Sequence, residues 1–224
     1  MEQVYSASAV SRPFWYVEFK KVMSLLNRGM SYEEIRTKVL EENLFDVAKE
    51  YRAKEIYGAV ARRAKVLDQQ GVALFCNSDM ATMKLIEFIA IMQTDRLIAE
   101  FMHEVYREKV IVGDFELRDA DFNTFFKRKQ DQDEGMAGWK DYTLKKLRNS
   151  YINYLSEGGL VSRSEGTKML TPPLLTEELK AYLQQAGLGA CISIFTGGEV
   201  IGANFGGTAA RSGNCDPAAQ LSGE

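Results

Sequence analysis

Apolar side chains recur at helical spacing through most of the chain, in blocks separated by glycines or capping residues. Residues 14–29 read as a helix stopped at Gly29. Ser31 with Glu34 three positions on forms a capping box for a short helix with Tyr32, Ile35 and Val39 on its apolar side. Residues 48–68 read as a longer helix. There Ala53, Ile56, Tyr57, Val60, Ala64 and Leu67 share one face, with Tyr51, Lys54, Glu55, Gly58, Arg62 and Lys65 opposite and Arg52 and Arg63 at the edges. Gly71 to Asn77 reads as a brief extended or turn segment. Residues 79–92 and 94–109 read as an apolar helical hairpin.

Beyond the hairpin, VIVGDFELRD is strand-like around Gly113, and Asp119 is placed to cap a helix whose Phe122, Phe125 and Phe126 belong in a core. Gly135 and Gly138 fall in a turn. Residues 139–156 then form the most clearly two-sided helix. Leu144, Leu147, Tyr151, Tyr154 and Leu155 line one face; Tyr142, Lys145, Lys146, Asn149 and Asn153 line the other, with Arg148 on its flank. Glu157-Gly158-Gly159 ends it, since glycine tolerates the left-handed cap. LVSRS and TKML flank a turn-prone Ser164-Glu165-Gly166 and predict a small hairpin. After Pro172-Pro173 comes a helix capped by Thr176, and ACISIF reads as a final strand.

The expected fold is mainly α, with two helix-turn-helix-like halves joined by a helical hairpin, the C-terminal half carrying a wing. The expected division is 1–77 for the N-terminal half, 78–112 for the hairpin, 113–196 for the winged half and 197–224 for a flexible tail. That tail is rich in Gly, Ala, Ser and Thr and has no period. The lead-in, residues 1–13, reads as loose. No plain repeat relates the 48–68 and 139–156 helices.

A net charge of −3 excludes a uniformly basic coat for nucleic acid, so any such binding needs positive charge gathered locally. The two polar helix faces do gather it. Residues 48–68 hold six Lys or Arg against three acids. A basic, amide-bearing helix followed by a hairpin has the make-up of a recognition helix and wing. On that reading double-stranded DNA meets Tyr142, Lys145, Lys146, Arg148, Asn149 and Asn153 on the helix, Arg163 and Lys168 on the wing, and Arg52, Lys54, Arg62 and Lys65 on the earlier helix. Lys and Arg suit phosphates and guanine edges, and Asn suits adenine. Against this stands the plainer reading of each face as a solvated side of an amphipathic helix, and Glu50 and Glu55 would repel phosphates.

No chemistry beyond binding emerges. His103 has no second His or Cys partner for zinc, and the acids at 131–134 lack calcium-loop spacing. No phosphate-cradling glycine loop or nucleophile elbow occurs, so no catalytic residue, cofactor, metal or small-molecule substrate is expected. No apolar run reaches membrane-spanning length, no secretion signal opens the sequence, and the three cysteines are widely spaced. A cytoplasmic protein without membrane contact is expected.

Four phrases, ENLFDVAKEYRAKEIYGAVARRAKVL, EFMHEVYREK, DFNTFFKRKQ and WKDYTLKKLRNSYINYLSEGGLV, in this order resemble the BrxA family of BREX (bacteriophage exclusion) defence systems. The resemblance spans residues 5 to 197. It implies a small, non-enzymatic, helical protein with helix-turn-helix-type halves that binds double-stranded DNA and has other BREX proteins as partners. The competing expectation within the same system is a scaffold or assembly factor whose winged-helix faces dock proteins.

Overall fold

The computed structural model describes residues 4–164 and 166–198. Helix α1 (Tyr16–Asn27) packs against α3 (Glu50–Ala64) and α4 (Gln69–Asn77), and α2 (Tyr32–Glu41) packs against α3. The capping box at the start of α2 forms as expected: Ser31 Oγ accepts from Glu34 N at 3.2 Å, and the Glu34 carboxylate accepts from Ser31 N at 2.7 Å. Helix α5 (Met80–Thr94) is buried along nearly its whole length. It turns at Asp95 into an arm made of α6 (Arg96–Phe101), a π-helical stretch (Met102–Tyr106) and α7 (Arg107–Val112). The Asp95 carboxylate caps that arm by accepting from Leu97 N at 3.1 Å. Residues 79–92 and 94–109 are thus helical as expected, with α7 packed on the later helix Gly189–Thr196.

Helix α8 (Asp119–Gln132), the single turn α9 (Glu134–Ala137) and α10 (Asp141–Glu157) follow. Phe122, Phe125 and Phe126 of α8 do enter the core: Phe122 stacks on Phe101 of α6 with ring centroids 4.8 Å apart, and Phe126 lies 5.9 Å from Tyr151 of α10. In the turn, Met136 is buried and Gln130 donates to Trp139 O at 3.0 Å, which fixes the entry to α10. Strands β1 (Val161–Ser164) and β2 (Thr167–Leu170) form an antiparallel hairpin, pairing Val161 with Leu170 and Arg163 with Lys168. Helices α11 (Glu177–Gln185) and α12 (Gly189–Thr196) return to pack on α4 and on α7. One contiguous cluster of buried side chains runs through all these elements.

Several local expectations are corrected. Residues 69–77 are helical, not extended: the Asp68 carboxylate accepts from Gly71 N at 2.8 Å and starts α4. ACISIF is helix α12. Helix α7 runs to Val112, so only Phe115 to Leu117 is extended, lying along β2 through Leu170 N to Phe115 O (2.7 Å) and Leu117 N to Lys168 O (2.8 Å). Arg118 occupies the cap position of α8, where Asp121 accepts from its backbone N at 2.7 Å; Asp119 is already in the helix.

The lead-in is fastened rather than loose. Tyr5 donates to Glu100 at 2.7 Å, Arg63 donates to the carbonyls of Pro13 (3.0 Å) and Phe14, and Tyr154 donates to the Arg12 carbonyl. Gly197 closes α12 with a positive φ of 71°, and the rest of the 197–224 tail from residue 199 lies outside the described residues.

Candidate nucleic-acid interface

Helix α10 is oriented by its apolar stripe. Leu147, Tyr151, Ile152, Tyr154 and Leu155 are buried, and the helix has no freedom to rotate without exposing them. That leaves Tyr142, Lys145, Lys146, Asn149 and Asn153 exposed together, as the periodicity implies. Lys146 Nζ sits 4.5 Å from the centroid of the Tyr142 ring, a cation–π contact that keeps the ammonium on the outer surface.

The hairpin meets this face for an equally simple reason. Side chains two apart on a strand share a side, so Val161 and Arg163 of β1 point the same way, as do Leu170 and Lys168 of β2. Val161 and Leu170 are buried at the hairpin root. Arg163 and Lys168 therefore project toward α10 farther out. Arg163 donates to Asn153 Oδ1 at 2.8 Å and to Ser156 Oγ at 3.1 Å. Lys168 reaches Asp119 Oδ1 at 3.1 Å, and Arg148 of α10 reaches Asp119 Oδ2 at 2.9 Å. Between helix and hairpin lies a cleft of about 400 Å³ lined by Asn149, Ile152, Asn153, Arg163, Thr167 and Lys168 among others.

All eight C-terminal candidates thus share one surface. Arg148 is the least available of them: its side chain is 18% exposed and its Nε is buried without an acceptor. Two residues of this surface, Asp119 and Ser156, escaped sequence reasoning. Their contacts cross from one element to another, and no local spacing carries that information.

The four candidates on α3 are arranged differently. Arg52 pairs with Glu55 at 2.6 Å and also lies over the Trp15 ring, while Lys54 pairs with Glu50 at 2.6 Å. Lys65 lies over the Tyr32 ring, and Arg62 reaches Thr94 O at 3.4 Å. The charges of Arg52 and Lys54 are offset by carboxylates on the same helix, while Arg62 meets a carbonyl of α5 and Lys65 a ring of α2. The KRK run is likewise held: Lys127 pairs with Asp131, Arg128 with Glu104, and buried Lys129 with Glu100 and Glu104. Trp139 is half-buried against the core, in keeping with a packing anchor.

Among the described residues, no group of three or more His, Cys, Asp or Glu side chains is placed to hold a metal ion. No helix among them is long and apolar enough to cross a membrane.

The fold and this surface define a mainly helical protein with a cationic helix braced by a short hairpin. A family model described as BrxA matches residues 3–187, and the chain belongs to the BrxA family. It is 41% identical over 196 residues to a "BREX protein BrxA" of Bacillus cereus (strain H3081.97), covering 88% of this chain and 98% of that one. A "BREX protein BrxA" of Escherichia coli O9:H4 (strain HS) is 20% identical over the same length, covering 88% and 92%. A crystal structure of an uncharacterized protein from Magnetospirillum magneticum superposes with a TM-score of 0.73 at 18% identity, covering 87% of this chain and 99% of that one. That likeness speaks for the fold alone.

Proposed function

We propose that this chain binds double-stranded DNA through α10 and the β1–β2 hairpin, as a non-enzymatic accessory component of a BREX phage-defence system alongside other BREX proteins. The setting rests on family membership. The DNA reading rests on one observation: Lys145, Lys146, Arg148, Arg163 and Lys168 share a surface on which Asp119 is the single carboxylate bonded to any of them, among the described residues. In a chain of net charge −3 such a local gathering of cations is what approach of a polyanion requires. Helix α8, the α9 turn, α10 and the hairpin follow one another as in a winged helix-turn-helix, with α10 in the recognition position.

Affinity then comes mainly from phosphates met by Lys145 and Lys146, with Asn149 and Asn153 placed to read base edges. Changing Lys145 and Lys146 together to Ala is expected to weaken duplex binding and to flatten the dependence of log K on log salt by up to about two. An electrophoretic shift at two salt concentrations measures both. Binding that is unchanged in the double variant removes this face from consideration. Magnesium-dependent cutting of plasmid by the pure chain would overturn the non-enzymatic reading.

A second reading, docking of partner proteins, is favoured by α3. Its ion pairs are self-contained and Tyr51 stands 67% exposed beside them, a surface better suited to a protein than to phosphate. Capture of other BREX proteins by this chain, with no duplex shift at low salt, would make that the primary role.

A further inference from the structure

The hairpin carries an internal conflict. Arg163 and Lys168 are directly opposite in the antiparallel register, on the side facing α10, and like charges so placed repel. Among the described residues, Arg163 is met by the neutral acceptors Asn153 and Ser156 and by no carboxylate. Lys168 is met by Asp119, which also holds Arg148 of α10. Asp119 is thus one carboxylate shared by three elements: it lies at the start of α8 and grips both the helix and the second strand. Among the described residues this carboxylate has no other side-chain or backbone bond, and the carboxylate that bonds the backbone at the start of α8 is that of Asp121. Apolar packing fixes the root of the hairpin through Val161 and Leu170, and backbone bonds from Phe115 and Leu117 hold one edge of β2 as far as Lys168, leaving the outer part of β1 and the Arg163 and Lys168 side chains without apolar anchors there. The outer half depends on polar ties.

The geometry points to Asp119 as a positioning residue that clamps the wing to the recognition helix, so that Arg148 and Lys168 act as struts setting the width of the cleft while Lys145, Lys146 and Arg163 meet the phosphates. This rests on the DNA reading above but has a structural part that does not. Simple charge counting makes the opposite forecast. Removing a negative charge from a phosphate-facing surface, and releasing two cations, should tighten binding and steepen its salt dependence. A clamp forecasts the reverse sign.

The test compares Asp119→Asn and Asp119→Glu with the unaltered chain, using two readouts. The first is trypsin cleavage after Arg163 and Lys168, followed by mass spectrometry, with far-UV circular dichroism confirming the fold. The second is duplex affinity across a salt series. Asp119→Asn is expected to speed cleavage in the hairpin several-fold and to lower duplex affinity about fivefold, and Asp119→Glu to recover most of both. Tighter duplex binding by Asp119→Asn, or hairpin cleavage at the unaltered rate, would overturn the clamp. Should the unaltered chain bind no duplex at all, the DNA reading fails, and the cleavage readout still decides whether Asp119 holds the wing.

Discussion

At the scale of single residues, a costly buried arrangement lies away from the proposed DNA face. Arg63 of α3 and Glu87 of α5 are both buried, 3.3 Å apart. The guanidinium is well served, donating also to the carbonyls of Pro13 and Phe14 and lying over the rings of Trp15 and Tyr154. The carboxylate is not: its Oε2 is buried without a partner. Burial pushes the Glu87 carboxyl well above the ordinary glutamate range, and the attraction of Arg63 opposes this without cancelling it. A group with a raised folded-state pKa keeps a proton that the unfolded chain has already released. Stability from this site is therefore fullest below the ordinary glutamate value near 4.5 and is lost as pH rises above it. Glu87→Gln keeps an acceptor for Arg63 and removes the titration. It is expected to flatten the fall in melting temperature between about pH 5 and pH 8, and a variant whose melting curve tracks the unaltered chain at every pH would refute this.

At the scale of elements, what the sequence revealed and what it hid follow one rule. Helices with a solvent side were legible: α2 by its capping box, α3 and α10 by a clean separation of apolar from charged positions, α11 by Thr176, whose Oγ1 accepts from Leu179 N at 3.2 Å. The short helices α4 and α12 were not, whereas the longer α5, buried along nearly its whole length, was read as a helix. Helix α12 has five buried residues in eight and almost no polar positions, so its period vanishes and its apolar run imitates a strand. Helix α4 was obscured by Gly71, which looked like punctuation but has a packing role: a Cβ there would come 2.3 Å from Tyr182 Oη and 2.7 Å from its ring. Gly71 lets α11 settle on α4. Gly71→Ala is expected to destabilise by about 1–3 kcal/mol through overpacking, and part of that loss should return in a Tyr182→Phe background. Urea denaturation of the two variants and their combination gives the comparison, and additive losses would mean the hydroxyl is not what Gly71 accommodates. The candidate site divided the same way. Its outward residues were readable from one helix wheel, whereas Asp119 was not, since its partners sit 29 and 49 positions away.

At the scale of the whole molecule, the proposed DNA binding raises the question why an acidic chain with two cationic helices would use only one of them. A count of Lys and Arg gives α3 the stronger claim, and the arrangement of acids reverses it. Arg52 and Lys54 each have a carboxylate 2.6 Å away on the same helix, and an approaching phosphate would have to displace it. Among the described residues Lys145 has no such neighbour, and Lys146 is met by an aromatic ring, which leaves its charge intact. At physiological salt, charges separated by more than about 8 Å are largely screened, so the local pairing outweighs the total. The discriminating variant removes the four charges at the start of α3 without changing the net charge: Glu50, Arg52, Lys54 and Glu55 all replaced by Gln. Duplex affinity and its salt dependence are expected to stay as in the unaltered chain, because no phosphate contact has been taken away. A salt dependence shallower by about two would mean that Arg52 and Lys54 do exchange their carboxylates for phosphates and that the chain grips DNA from both halves. If binding holds but capture of a partner protein is lost, α3 with its exposed Tyr51 is the protein-docking face, and the two helices divide the work between nucleic acid and assembly.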